Sequence, residues 1–246
     1  MELTILGSGG GWPRPHRAAS GYLLRHEGFV LWLDAGTGTM AELQEHVGLF
    51  DIDAVLISHK HFDHFLDVYP YFLAVWFNAE RPGKVPFYAP PGMFEHAEQL
   101  EESLADVFDP RPVGLGDAVE IGPFRVTTAM MAHPVPTLGM RFQADGAPTL
   151  AYTADTGPSD DMVRLVHGAD LLLSEATWLE RPSTAPMDLH MTASEAGEHG
   201  RRAEVGRLML THIWPALDPD VVREAADRTF RDGPVELAVP GTTVAP

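Results

Sequence analysis

Residues 58 to 65 read SHKHFDHF, and no other stretch restricts the fold as strongly. The cluster continues DAVLIS (53–58), an apolar run of strand type. In an extended segment alternate residues share a side, so His59, His61 and Asp63 point one way, and a turn into a following helix lets His64 swing toward the same centre. Neutral imidazole and carboxylate are borderline ligands that suit Zn²⁺, with Mn²⁺ and Fe as competitors. The pattern HxHxDH therefore reads as a metal site rather than a surface histidine cluster. The chain has no cysteine, so any metal must be held by nitrogen and oxygen.

Four ligands this close together cannot complete two coordination spheres, so a two-metal site needs further His and Asp at later strand ends. His133 follows FRVTTAMMA, Asp155 ends PTLAYTAD and His212 ends RLMLTH. Each alone is an ordinary loop residue, since loops collect polar side chains. Their shared position, where an apolar run stops, makes them ligand candidates.

Short apolar runs alternate with helical patterns along the rest of the chain. LTIL (3–6), GYLLR (21–25), FVLWLD (29–34), VPFYA, TLGMRFQ, DLLLSE and VELAV read as strands. Helices are expected over 39–47, 92–105, 159–167, 192–203 and 219–229, and YPYFLAVWF (69–77) reads as a buried helix, with a wall for base stacking as the second reading. Early strands follow one another like hairpins and later ones alternate with helices, which predicts an α/β chain of two mixed sheets with helices outside. With 246 residues, 45% of them hydrophobic, a single domain over 1–246 is expected. No apolar run is long enough to span a bilayer and MELTILGSGG lacks a basic start, so a cytoplasmic location is expected. A net charge of −18 disfavours a protein that grips a long phosphate backbone.

At these residues the chain resembles the metallo-β-lactamase-fold hydrolases, and within them the ribonuclease Z-like phosphodiesterase branch. SHKHFDH looks like the signature, FVLWLDAG like the early strand whose aspartate, here Asp34, buttresses the site. The resemblance implies an αββα four-layer sandwich, the two sheets face to face. It implies two divalent ions, one held by His59, His61 and His133, the other by Asp63, His64 and His212, with Asp155 bridging. LSEATWLE (173–180) resembles the family's HEAT motif with Ser174 in place of its first histidine, and LHMTASEAGEHG (189–200) its HST loop. By that resemblance His190 protonates the leaving oxygen and Glu175 orients it, so Asp63, His190 and Glu175 form the expected catalytic set. Thr192 is also a good helix N-cap, with Glu195 completing a capping box.

Two metals lower the pKa of a shared water and steady charge on a phosphorane-like transition state. Protonation by His190 matters most for a poor leaving group such as a ribose oxygen. PRPHRA (13–18) resembles a degraded basic loop, which makes Arg14, His16 and Arg17 candidate substrate contacts, and Thr192 of the LHMTASEAGEHG stretch is a further candidate. GSGGGWP (7–13) lacks GxGxxG spacing and reads as a tight glycine turn; Asp67 reads as a helix-start acid or a support for the ligands. His26, His46, His96, His167 and His199 are assigned to the surface.

Ribonuclease Z inserts an arm for transfer RNA between the positions of His133 and Asp155, where this chain has 21 residues, room for two strands and a turn. The expected partner is therefore a small phosphodiester, with RNA and membranes disfavoured, and the family's habit implies a homodimer. NAERPGKVPFYAPPG (78–92) with the preceding aromatics loosely resembles members that degrade cyclic nucleotides. Three alternatives stay open: a transfer RNA 3′-processing nuclease without the arm, a lactone or ester hydrolase on the same metals, and a non-enzymatic metal-binding or scaffold member, against which the full ligand set argues.

Overall fold

The protein is described by a computed structural model covering residues 1–78, 83–183 and 189–246. Residues 79–82 of the loop compared with cyclic-nucleotide enzymes lie outside the described residues. The first sheet contains β1 (Glu2–Gly9), β2 (Ala18–Ala19), β3 (Gly21–His26), β4 (Phe29–Ala35), β5 (Ala54–Leu56), β6 (Val85–Ala89) and β7 (Phe108–Pro112). Helices α1 (Thr39–Leu43), α2 (Phe62–Phe65), α3 (Val68–Trp76) and α4 (Met93–Glu98) fall between its strands. The second sheet contains β8 (Ala118–Ile121), β9 (Phe124–Met130), β10 (Leu138–Gln143), β11 (Leu150–Tyr152), β12 (Leu171–Glu175), β13 (Arg207–Thr211) and β14 (Val235–Leu237). Its helices are α5 (Asp160–Val166), α6 (Ala193–Arg202) and α7 (Pro219–Phe230), and β15 (Thr243–Val244) returns to pair with β1.

Both sheets are mixed, as expected. β1, β3 and β4 are antiparallel hairpin neighbours, after which β4 to β7 run parallel. The second sheet repeats the scheme, with β8 to β11 antiparallel and β11 to β14 parallel.

Strand alternation sorts the side chains into layers. In β4, Leu31 and Leu33 face Met140, Phe142, Tyr152 and Leu173 of the opposite sheet, while Trp32 points outward to Tyr71 of α3 at 5.6 Å between ring centroids. In β12, Leu171 and Leu173 face inward and Leu172 packs beneath α5, α6 and α7. The result is the four-layer αββα sandwich.

Some element boundaries differ from expectation. The helix expected over 92–105 is α4 alone, followed by a 3-10 turn at Leu104–Asp106 that returns Leu104 and Val107 to the core. The helix expected over 39–47 ends at Leu43 and runs out through hydrogen-bonded turns to Val47. β7 was not expected because FDPRP carries two prolines; it forms at a sheet edge, where prolines are tolerated. No helix among the described residues is long and apolar enough to cross a membrane.

Candidate metal centre

The histidine cluster sits where β5 ends, beside the ends of β9, β11 and β13 from the other sheet. Asp34, at the end of β4, is fully buried and organises it. Its carboxylate accepts four hydrogen bonds: from the Ser58 amide (2.7 Å), the Ser58 hydroxyl, His64 Nδ1 and the Tyr152 hydroxyl (each 2.8 Å). Ser58 Oγ in turn accepts from His59 Nδ1 at 3.0 Å, so one carboxylate orients two imidazoles. His133 Nδ1 donates to the Leu189 carbonyl (2.9 Å), and His212 Nδ1 donates to Thr177 Oγ1 (2.8 Å), which donates to Glu175 Oε2 (2.6 Å). In all four rings the bonded Nδ1 fixes the tautomer and leaves Nε2 as the free donor atom, the usual support for a metal-bound imidazole.

Those free nitrogens converge. Asp155 Oδ2 lies 3.6 Å from His59 Nε2 and 3.8 Å from His133 Nε2, while its Oδ1 lies 3.2 Å from His64 Nε2 and 3.3 Å from His212 Nε2. His133 Nε2 is 3.0 Å from His61 Nδ1, and His212 Nε2 is 3.1 Å from Asp63 Oδ2. Three groups of metal-ligand geometry result: His59, His61, His133 and Asp155 in one, Asp63, His64 and His212 in a second, with Asp155 turning one oxygen to each, and Asp155, His190 and His212 in a third that overlaps them. His59 Nε2, His64 Nε2 and Asp155 Oδ1 are buried with no hydrogen-bond partner, a cost that folded proteins accept only for a purpose. Nitrogen and oxygen donors left unpaired around two adjacent points fit a pair of divalent cations.

The electrostatics agree with that fit. Burial, with His64 close by, holds His59 well below its ordinary pKa, and burial takes His133 down to about 4. Burial would raise the Asp155 carboxyl, yet His212, His64 and His59 hold it well below the carboxylate range. Three residues at these strand ends, Asp34, Ala154 and His212, carry left-handed backbone (φ 52°, 50° and 52°) without being glycine. Such conformations cost about 1–3 kcal/mol each and persist where the surrounding structure enforces them.

His190 lies against this centre. Its ring stacks on His212 at 5.3 Å and its Nδ1 donates to Glu175 Oε1 at 3.1 Å. Burial would lower its pKa, but the bonded Glu175 and then Asp155 and Asp63 raise it to about 9. Glu175 is itself fixed by the amides of Thr156 (2.5 Å) and Met191 (3.1 Å). Arg181 clamps the loop, donating to the His190 carbonyl (3.0 Å) and to both carboxylate oxygens of Glu195 (2.9 Å each).

Other expected residues stand elsewhere. The Thr192 hydroxyl is engaged within the capping box of α6. The Arg14 guanidinium donates to the Pro215 carbonyl, and Arg14, His16 and Arg17 line a cavity of about 370 Å³ against α1 that shares no lining residue with the ligand groups. Asp67 caps α1, its carboxylate accepting from the Met40 amide at 2.7 Å. The buried side chains of α3, Tyr71 and Phe72 among them, face the outer core of the first sheet. His199, assigned to the surface, is buried on the inner face of α6, its Nδ1 on the Glu195 carbonyl. The glycine run is more than a turn: Gly10 passes so close to His212 that a Cβ there would lie 2.7 Å from its carbonyl oxygen, and Gly11 donates its amide to Asp63 Oδ2 at 2.6 Å. A second cavity, about 290 Å³, opens beside the cluster between Lys60, His96, Gln99 and Pro136.

Sequence reasoning passed over Ser58, Tyr152 and Thr177, which hold the ligands. It also passed over Trp12, Trp178 and Trp214, whose rings meet beside His190. Thr177 stands inside the quoted LSEATWLE and could have been found there.

The chain is similar to known proteins along nearly its whole length. Residues 31–213 match the family described as the beta-lactamase superfamily domain. An uncharacterised protein of Mycobacterium leprae is 35% identical, over 99% of this chain and 88% of that one. The metallo-β-lactamase fold protein YhfI of Bacillus subtilis is 30% identical over 98% of both chains, and its crystal structure superposes with a TM-score of 0.89. A ribonuclease Z of Methanopyrus kandleri is 31% identical over 94% of this chain and 93% of that protein. With likeness of this order running nearly end to end, the chain belongs to the metallo-β-lactamase-fold hydrolases, a family of metal-dependent enzymes, in their ribonuclease Z-like branch.

Proposed function

We propose that the protein is a dinuclear metal phosphodiesterase acting on a small diester, with a cyclic nucleotide as the best-fitting substrate. The observation that carries the reading is the Glu175–His190 pair, 3.1 Å from oxygen to nitrogen, set against the ligand groups. A lactone or thioester has a leaving group that needs little help; a ribose oxygen needs a proton as it departs. Glu175 keeps His190 in the imidazolium form and binds its Nδ1, so Nε2 carries the proton given to the leaving oxygen.

His59, His61, Asp63, His64, His133, Asp155 and His212 would hold two divalent ions, with Zn²⁺ the best match to the donors. Such a pair supplies a hydroxide at neutral pH and stabilises negative charge on the phosphoryl group. The Asp34 network keeps the imidazoles aimed, and the Gly11 amide fixes the orientation of Asp63. Support for a small substrate comes from the 21 residues between His133 and Asp155, which form β10, a turn and β11, and from the charge of −18. The likeness to a ribonuclease Z favours a second reading, transfer RNA 3′ processing.

The test is a parallel assay of metal-loaded protein on cyclic AMP, bis(4-nitrophenyl) phosphate, a transfer RNA precursor and a homoserine lactone. Turnover of the lactone alone would overturn the phosphodiesterase reading, and preference for the precursor would select the second. His190→Ala should slow cyclic AMP hydrolysis by about 10²–10⁴-fold, the range of a general acid, with metal content unchanged. An equal loss on the nitrophenyl diester would count against the acid role.

A further inference from the structure

Three of the chain's five tryptophans meet on the His190 side of the metal centre. Trp12 and Trp214 stand edge to face with centroids 4.7 Å apart, Trp214 and Trp178 are 4.6 Å apart, and Trp178 is 6.2 Å from the His190 ring. Each comes from a different segment and each is tied to the site through its neighbours. Trp12 follows Gly11, whose amide holds Asp63; Trp178 follows Thr177, which bonds His212 and Glu175; Trp214 lies two residues past His212. The cluster is not sealed in the core. Trp178 and Trp214 are half-buried and Trp12 is 45% exposed, so indole surface stays open to solvent at the rim of the centre.

We infer that Trp12, Trp178 and Trp214 form a stacking site for the nucleobase of a mononucleotide. The inference rests on the phosphodiesterase reading and deepens it by naming the group next to the scissile phosphate. Every base offers a π face, and indole is the largest surface a protein can offer it. Position supports the assignment as well as chemistry. In a cyclic nucleotide the base and the leaving oxygen belong to one ribose, so a base held by these rings stands on the same side as the acid that protonates that oxygen. An acidic chain that avoids polyanions can then select its substrate by ring stacking rather than by a field of cationic side chains.

The test titrates zinc-loaded protein with adenosine 5′-monophosphate and, separately, ribose 5-phosphate, following tryptophan fluorescence and heat of binding. The nucleotide should bind more tightly than the sugar phosphate and should quench and shield the exposed indole from acrylamide; ribose 5-phosphate should do neither. Trp12→Ala should weaken nucleotide binding by about 5- to 150-fold, the range for loss of one stacked base, and Trp12→Phe should recover most of it. Equal affinity for the two ligands would overturn the inference, as would nucleotide binding indifferent to both Trp12 variants, because the base would then bind elsewhere. Bis(4-nitrophenyl) phosphate turnover is scored separately. Its absence together with inert cyclic AMP would defeat the phosphodiesterase reading, whereas base-dependent binding through Trp12 would stand on its own.

Discussion

Glu175 is the residue at which the two halves of the proposed chemistry meet. Its Oε2 accepts from Thr177, which orients His212, while its Oε1 accepts from His190. One carboxylate thus aims a metal ligand and keeps an acid charged. The sign of its effect on pH dependence follows. Glu175 favours the imidazolium and is foremost among the groups that raise His190 to about 9, so the acid is competent below that pKa and is lost as pH rises through it. Bound cations would offset Asp155 and Asp63, leaving Glu175 as the main support and bringing the alkaline limb below about 9. Glu175→Gln should move the alkaline limb of the kcat profile for cyclic AMP to lower pH, since the amide keeps a hydrogen bond but no charge. A steady-state profile across the neutral and alkaline range checks this, and an unmoved limb would assign that limb to another group. The HEAT-like and HST-like motifs pointed to Glu175 orienting His190, whereas the link from Glu175 through Thr177 to His212 was passed over. The HxHxDH spacing is local and gives four ligands at sight, but Tyr152 reaches Asp34 from the other sheet and Thr177 meets His212 from the end of a neighbouring strand, contacts that periodicity does not encode. The tryptophan cluster was hidden for the same reason, its members lying at 12, 178 and 214.

At the scale of elements, α6 decides where His190 stands. The helix begins at a capping box between Thr192 and Glu195, Arg181 clamps that box to the His190 carbonyl, and α6 is seated on α7. The seat is close because position 197 is glycine. A Cβ there would lie 2.2 Å from Thr229 Oγ1 and 2.4 Å from the Ala226 carbonyl oxygen, so α6 and α7 would have to part. Propensity pulls the other way, since alanine for glycine within a helix gains up to about 1 kcal/mol. Overpacking a tight contact costs about 1–3 kcal/mol, and here the obstacle is backbone, which yields less than a side chain. Gly197→Ala should therefore destabilise the fold by about 1–2 kcal/mol, measured by urea denaturation with an unchanged m-value. A gain in stability would mean that the helices separate freely. Elements of this kind were legible where the pattern was long: the apolar runs of β4, β12 and β13 and the capped α6 and α7 all stand where the sequence puts them. The unread pieces were short or edge strands: β2, of two residues, and β8, of four, pair with nearby β1 and β9 but are too brief to show a pattern, β7 carries two prolines, and β15 pairs with β1 at the far end of the chain. His199 was misread because a histidine on an amphipathic helix looks solvated until the partner helix is in place.

For the molecule as a whole, the metal centre works as a clasp between two sheets. The first sheet delivers Asp34 and the SHKHFDH segment, the second delivers His133, Asp155, Glu175 and His212, and the apolar interior they share lies beneath. Without cations the clasp holds four buried or half-buried carboxylates, Asp34, Asp63, Asp155 and Glu175, in a chain already at −18, along with donor atoms that have no partner. Cations that bind only the folded arrangement must then stabilise it by mass action. At a free concentration a hundredfold above Kd, one ion contributes about 2.7 kcal/mol. For a chain of this size each kcal/mol shifts Tm by about 2–4 °C, so stripping a single ion should lower Tm by about 5–11 °C. Calorimetry of the zinc-loaded and chelated protein tests this, with zinc added back to restore the transition. Asp155→Ala sharpens the test, because Asp155 faces both ligand groups and its loss should flatten the dependence of Tm on zinc. If the chelated wild type melted with the loaded one, the two sheets would be held by their shared core alone, and the strained backbone at Asp34, Ala154 and His212 would need another explanation.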